Sequence, residues 1–130
     1  MPFPIEEKYI IDTEKELSVL FPIQFKNRMI QLNGGELVSD EFEFELFPFF
    51  DTSDNKRMSR TSNHIGLETK NARKWHTFPD NGFAIGNDGF GNLILLIHKG
   101  DGNLSDEIYF WDHETGQIEK IASSIDELEG

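Results

Sequence analysis

The sequence contains no cysteine, and this absence excludes disulfide bonds and thiolate metal ligands. No apolar run approaches the roughly 20 residues of a membrane-spanning helix, so we expect no membrane partner. The first residues lack the basic and apolar segments of a signal peptide, and we expect a cytoplasmic location. Basic residues are also scarce: 12 lysines and arginines against 24 aspartates and glutamates give a net charge of −12. Such a surface repels phosphate backbones, which disfavours nucleic acid and favours basic proteins as partners.

No pattern typical of catalysis or metal binding is present. The four histidines are scattered, with none of the helical spacings that hold zinc. The sequence has no Gly-x-Ser-x-Gly turn, and it has no cysteine nucleophile. Residues 86–92 carry oxygen-bearing side chains but lack the ligand spacing of a calcium loop, so we interpret them as a turn. We therefore expect a protein that is not an enzyme and needs neither a metal nor a cofactor.

The centre of the chain predicts a β-hairpin. In residues 83–98, two apolar runs flank glycine, asparagine and aspartate, which are the residues that tolerate a chain reversal. The second run, Leu93–Ile97, shows no polar alternation, which indicates a central strand with both faces covered. Residues 107–112 and 117–121 predict two more strands. With 12 phenylalanines and 2 tryptophans in 130 residues, we expect one domain over residues 1–130.

Helices are predicted on both sides of a polar loop. A capping-box pattern at residues 13–16 predicts the start of a short helix, which Pro22 ends. Pro22 also fits the first position of a second helix. That helix reaches three residues typical of a glycine C-cap: Asn33, Gly34 and Gly35. Residues 51–60 predict a surface loop, and a third helix is predicted over residues 62–76 with Trp75 facing the core.

Residues 41–46 alternate strictly between glutamate and an apolar residue, which predicts a strand with one acidic side. Its carboxylates would lie about 7 Å apart, from two residues of strand rise. They belong to Glu41, Glu43 and Glu45. This acidic ladder is either an ordinary solvated face or a docking surface for lysine and arginine side chains. The aromatic residues that follow, at 47–50, are expected to be exposed or half-buried.

Four motifs in this order resemble the SUKH superfamily, also called the Smi/Knr family. They are Phe21-Pro22, Asn33-Gly34-Gly35, Gly86-x-x-Gly89-x-Gly91 and Ile108-Tyr109-Phe110-Trp111-Asp112-His113. The resemblance implies an α+β fold, with a mostly antiparallel twisted sheet and helices packed against it. It also implies structural roles for nine residues: Pro22, Asn33, Gly34, Gly35, Gly86, Gly89, Gly91, Tyr109 and Trp111.

The resemblance implies two kinds of function. Many bacterial members are immunity proteins that bind and neutralise a cognate toxin, often a nuclease, whereas fungal members are regulatory scaffolds of cell-wall signalling. The acidic composition favours the immunity function, because a nuclease that binds phosphate is usually basic and an acidic protein can occupy its surface. We therefore expect a cognate basic toxin as the partner. The candidate contacts are Glu41, Glu43, Glu45, Asp88, Asp101, Asp106 and Asp112. A regulatory scaffold, or a small-molecule sensor with a pocket beside Trp111, stays open as an alternative.

Overall fold

The computed structural model describes residues 3–38 and 41–128 of the chain. Within these ranges the helices are α1 Glu7–Leu17, α2 Ile23–Gln31, α3 Asn55–Arg60, α4 Ile65–Ala72 and α5 Ile125–Leu128. The strands are β1 Gly35–Val38, β2 Glu43–Leu46, β3 Gly82–Asn87, β4 Leu93–Ile97, β5 Ile108–Trp111 and β6 Ile118–Ala122.

The described strands form one antiparallel sheet in which each strand pairs with the next one in the sequence, in the order β1-β2-β3-β4-β5-β6. β3 and β4 therefore lie at the centre, and β1 and β6 lie at the edges. The α+β class with a mostly antiparallel sheet is confirmed. The central position predicted for Leu93–Ile97 is also confirmed, because residues 94–96 are fully buried in the middle of the sheet.

Both faces of β4 are covered, which explains its unbroken apolar run. On one face, Phe25 of α2 and Ile125 of α5 lie beside Leu96 of β4 around a common small gap. On the other face, Phe78 from the segment after α4 lies beside Leu95 and packs on Trp111, with ring centroids 5.2 Å apart. Helix α4 packs against β3, and the Thr69 hydroxyl accepts a hydrogen bond of 3.0 Å from the backbone N–H of Ala84. This bond falls where a bulge interrupts the pairing of β3 with β4.

An aromatic cluster joins the first helices to the chain that leaves β2. The rings of Phe21, Phe25 and Phe49 lie 5.0 to 5.9 Å apart, and all three side chains are buried. The prediction that residues 47–50 are exposed or half-buried is wrong for Phe47 and Phe49. The physical reason is that this segment runs beneath the junction of α1 and α2, where the aromatic side chains fill the core.

The predicted helix and loop boundaries need three corrections. Helix α1 begins at Glu7, so the capping box at residues 13–16 is wrong; Thr13 is buried within the helix, and its hydroxyl donates to the carbonyl of Tyr9. Residues 51–60 are not all loop, because Asp54 caps α3 by accepting from the N–H of Arg57 at 2.8 Å. The third helix is shorter than predicted, and Trp75 lies beyond its end with 52% of its surface exposed.

Candidate functional site

Side chains from all six strands form a row across one face of the sheet. Paired positions in antiparallel strands point to the same side. The strand registers therefore align, in order, Glu36, Glu45, Asn87, Leu93, Trp111 and Ile118. We call the side of the sheet that carries this row the front face. It is acidic on β1 and β2 and apolar from β4 to β6.

The acidic part of the front face surrounds a shallow cavity of about 160 Å³. Four carboxylates line this cavity, and we call them the acidic cluster: Glu36, Glu43, Glu45 and Asp88. The three glutamate side chains are exposed, and within residues 3–38 and 41–128 they make no ion pair or hydrogen bond. Their mutual repulsion and their complete solvation favour an approaching lysine or arginine side chain over any internal partner.

Asp88 differs from the three glutamates because its carboxylate organises the loop between β3 and β4. Its Oδ1 atom accepts from the N–H of Phe90 at 2.8 Å and from the N–H of Asn92 at 3.2 Å, and its Oδ2 atom accepts from Asn92 Nδ2 at 2.9 Å. These bonds form a compact turn, which fixes the carboxylate at the rim of the cavity.

The loop between β3 and β4 docks on the turn between β5 and β6 through Asn92 and His113. Asn92 Oδ1 accepts from the backbone N–H of His113 at 3.1 Å and lies 2.7 Å from His113 Nδ1. Because an amide oxygen can only accept, the second contact places a proton on Nδ1. Gly91, at φ 96°, leaves no room for a side chain, since an added Cβ would lie 2.9 Å from the imidazole ring. This close fit aligns the tips of the two hairpins.

Phe90 stands at the tip of the loop between β3 and β4 and has 81% of its surface exposed. Its neighbours Gly89 and Gly91 both have positive φ values, so the backbone turns sharply on each side of the ring. Trp75 is also exposed, and it contacts the buried Trp111 edge to face with ring centroids 6.2 Å apart. Large aromatic side chains exposed beside charged residues are typical anchors of protein interfaces.

Two of the predicted partner contacts lie far from the acidic cluster. Asp101 and Asp106 belong to the connection between β4 and β5, at the opposite end of the sheet from Phe90. Asp101 Oδ1 accepts from the N–H of Asn103 at 3.0 Å, and this bond lowers the pKa of the Asp101 carboxyl below its ordinary value. The Asp101 carboxylate therefore already has a role in its own turn.

The other two predicted contacts lie at the Phe90 end of the sheet but outside the acidic cluster. Asp112 Oδ1 accepts from the N–H of Glu114 at 2.9 Å and closes the turn between β5 and β6. Glu41 is exposed in the bend before β2, so the predicted acidic strand begins only at Glu43. The structure thus brings together Glu43, Glu45 and Asp88 among the seven predicted acidic residues.

Asn33 is a buried connector and does not act in a glycine C-cap. Its Nδ2 atom donates to the carbonyl of Phe49 at 2.9 Å, and its Oδ1 atom accepts from the N–H of Phe49 at 2.8 Å. The predicted cap is wrong because Leu32 already leaves α2 in an extended conformation. The guanidinium of Arg28 donates instead to the carbonyls of Leu32 and Gly34.

The remaining motif residues have steric roles. Gly34 and Gly35, at φ 114° and 91°, carry the chain from α2 into β1. Gly86 sits so close to β2 that an added Cβ would lie 2.7 Å from the carbonyl oxygen of Glu45. Pro22 precedes α2, and its carbonyl accepts the first helical hydrogen bond; the predicted helix start is thus one residue early. In β5, Trp111 is buried and Tyr109 is half-buried.

A larger open cavity of about 660 Å³ lies beside the acidic cluster. Glu36 and Glu45 line both cavities, and Arg60 lines the larger one from the end of α3. The pocket predicted beside Trp111 is not among these two cavities, because that indole is buried beneath Phe78 with its rings 5.2 Å apart. Its Nε1 atom donates to the carbonyl of Thr77 at 3.3 Å.

In residues 3–38 and 41–128, no three aspartate, glutamate or histidine side chains are arranged to hold a metal ion. None of the helices described there has the length and apolar character to cross a bilayer.

Comparison with known proteins identifies the family. The sequence model of the SMI1 / KNR4 family (SUKH-1) matches residues 4–129, which is nearly the whole chain. The chain belongs to the SMI1 / KNR4 (SUKH-1) family. The resemblance drawn from the four motifs is therefore confirmed. No curated protein matches this SUKH-1 chain.

Two features of this SUKH-1 domain were missed by sequence reasoning. Glu36 was not predicted as part of the acidic cluster, because β1 has only four residues and begins at the second of two adjacent glycines. The sequence signal for it is the alternation of the polar Glu36 with the apolar Leu37, which is typical of a strand with one exposed face. Phe90 was treated only as part of a turn, although a large aromatic residue between two glycines in a polar loop has no core to join.

Proposed function

We propose that this SUKH-1 protein is a non-enzymatic immunity protein that binds and neutralises a cognate toxin with a basic surface, such as a nuclease. The observation that carries the proposal is the acidic cluster: Glu36, Glu43 and Glu45 present three carboxylates on one face, with no counterion among the residues that the structure describes. An exposed cluster of this kind is complementary to the lysines and arginines with which a nuclease grips phosphate.

The exposed aromatic residue beside the cluster supports the same proposal. Charge accelerates encounter and selects the partner, but most binding energy in protein complexes comes from a few buried aromatic or arginine side chains. Phe90 would provide such an anchor, because most of its ring is exposed and its loop is held in place by Asp88 and Asn92. A toxin that covers both the cluster and this ring would be blocked sterically as well as electrostatically.

The family also supports a second candidate function, a regulatory scaffold that recruits several host proteins. The two functions differ in what they bind: an immunity protein has one toxic partner, whereas a scaffold has several harmless ones. To separate them, the tagged chain is used to capture partners from its source cells. Each captured protein is then expressed alone and together with this chain. We expect one basic protein that arrests growth alone and is harmless on co-expression; several harmless partners would favour the scaffold.

The role of the acidic cluster is tested in the same growth assay. The double variant Glu43→Lys, Glu45→Lys reverses two charges of the cluster, and we expect it to lose protection. The control variant Glu6→Lys, Glu119→Lys makes the same change in net charge at two exposed sites away from the cluster and should still protect. Equal protection by both variants would exclude the cluster as the binding surface.

The role of Phe90 is tested by affinity for the captured protein. Phe90→Ala should weaken binding by about thirtyfold, since truncating a hot-spot side chain costs about 2 kcal/mol. The thermal midpoint should stay unchanged, because the ring is 81% exposed. Ile23→Ala, which removes another exposed apolar side chain on α2, is the matched control and should leave the affinity unchanged. An unaltered affinity in Phe90→Ala would remove this ring from the interface.

A further inference from the structure

β1 is an edge strand, and its outer side is open among the residues that the structure describes. It pairs with β2 on one side, and no described strand pairs with it on the other. The outer backbone groups of an edge strand can accept another strand, which is how many domains bind extended peptides. The direction of each backbone N–H in β1 therefore decides which residues could bond to an added strand.

The directions follow from one hydrogen bond between β2 and β3. The N–H of Phe47 donates to the carbonyl of Ile85 at 2.8 Å. Backbone groups alternate in direction along a strand, so Glu45 also faces β3, while the two residues beside it, Phe44 and Leu46, face β1. This assignment fixes which positions of β1 form the ladder with β2.

The same alternation applies to β1. Gly35 and Leu37 pair with the two β2 residues that face β1, so their N–H and C=O groups lie within the ladder. The N–H and C=O groups of Glu36 and Val38 consequently point away from the sheet. Both side chains lie on the front face and are exposed, Val38 to 63%.

The charge at this edge selects what can pair with it. A second copy of the chain would bring its own Glu36 and Glu43 against the same carboxylates, and like charges opposed across strands are destabilising. A strand with lysine or arginine on one side would instead place cations over Glu36, one strand spacing away, and toward Glu45 on the next strand.

We propose that β1 binds an extended basic segment of the partner as a seventh strand of the sheet. This segment alternates basic residues, which face Glu36 and the rest of the acidic cluster, with apolar residues on its other side. Its backbone bonds to the outward N–H and C=O groups of Glu36 and Val38. This inference rests on the proposed function in one respect, because it takes the toxin to be the partner that provides the added strand.

The probe for this proposal is a synthetic peptide of about eight alternating lysine and valine residues, a usual strand length. Its binding is followed by NMR of the wild-type protein. Adding the peptide should slow hydrogen exchange at the amides of Glu36 and Val38. The amide of Leu37, which already bonds to β2, should change little. The same peptide with glutamate in place of lysine should not bind. Unchanged exchange at Glu36 and Val38 in the presence of bound peptide would overturn the strand pairing.

Val38→Pro gives an independent test that leaves the charge unchanged. Proline removes the N–H of Val38, which lies outside the ladder with β2, so the fold should persist. We expect peptide affinity to fall by about tenfold, since one donor is lost and the ring obstructs the added strand. Val38→Thr keeps the N–H and should bind like the wild type. Equal binding by Val38→Pro would overturn the proposal.

The growth assay separates this inference from the proposed function. If Val38→Pro still protects cells while the Glu43→Lys, Glu45→Lys variant does not, the immunity role stands and the strand pairing is refuted. If no toxin is captured, the immunity role fails, and the peptide experiments still decide whether the β1 edge accepts a basic strand.

Discussion

Replacing Asn33 by alanine should destabilise the protein strongly, because this side chain satisfies both backbone groups of Phe49. The substitution removes a donor to one buried carbonyl and an acceptor for one buried N–H. Each buried polar group left without a partner costs about 1–3 kcal/mol. The expected loss is therefore about 2–6 kcal/mol, a large part of the 5–15 kcal/mol that stabilises a typical domain.

Urea unfolding followed by circular dichroism measures this loss directly. The midpoint should fall while the slope stays constant, because the surface exposed on unfolding is unchanged. The thermal midpoint should fall by about 10 °C or more. Asn71→Ala makes the same substitution at an exposed position of α4 and should change stability by less than about 0.5 kcal/mol. If Asn33→Ala were as stable as this control, the bonds to Phe49 would not hold the segment after β2 in place.

Three further predictions concern stability. In urea unfolding, Gly91→Ala should lower the free energy of unfolding by about 2 kcal/mol more than Gly89→Ala does. Both glycines have positive φ, but only a Cβ at Gly91 would contact the His113 ring. Glu14→Ala should cost about 2–3 kcal/mol by thermal unfolding, since its buried carboxylate accepts a backbone N–H and pairs with a lysine. Burial lowers the pKa of His64, whose neutral ring caps α4. The contribution of His64 to the free energy of unfolding is therefore fully present above pH 6.5 and decreases as the pH drops from 6.5 toward the folded-state pKa. His64→Asn, which keeps a helix cap but does not titrate, should remove this pH dependence.

The centre of the fold could be predicted from the sequence because its signal is local. The apolar run of β4 and the glycine-rich turn before it are contiguous, and they determine a hairpin without reference to distant residues. The start of α1 could not be predicted in this way. Thr13 and Glu16 fit a capping box, but the burial of Ile10 against the rest of the core extends the helix toward Glu7. Such long-range packing overrides a local cap.

The sequence predicts three of the four residues of the acidic cluster as contacts, but it places only Glu43 and Glu45 on one face. Glu43 and Glu45 alternate with apolar residues, so the sequence alone indicates that they share one exposed face. Glu36 joins them only because β1 pairs antiparallel with β2 in a register that sets Glu36 opposite Glu45. Asp88 joins them because the hairpin turn ends beside β2. Pairing between separate strands is a tertiary property that no local pattern specifies.

Six acidic residues near the turns and the sheet edge fall into two groups with different physical roles. The aspartates at positions 88, 101 and 112 accept backbone hydrogen bonds in turns, whereas the side chains of Glu36, Glu43 and Glu45 project from strands and have no partner within residues 3–38 and 41–128. All of them contribute to the long-range field, which screening limits to about 8–10 Å at physiological salt. Only the strand glutamates can exchange water for a partner's cations without breaking a turn. Neutralising Asp101 as asparagine, which keeps its acceptor oxygen, should therefore slow association slightly and leave dissociation unchanged. Neutralising Glu43 and Glu45 as glutamine should also speed dissociation, because it removes contacts as well as field.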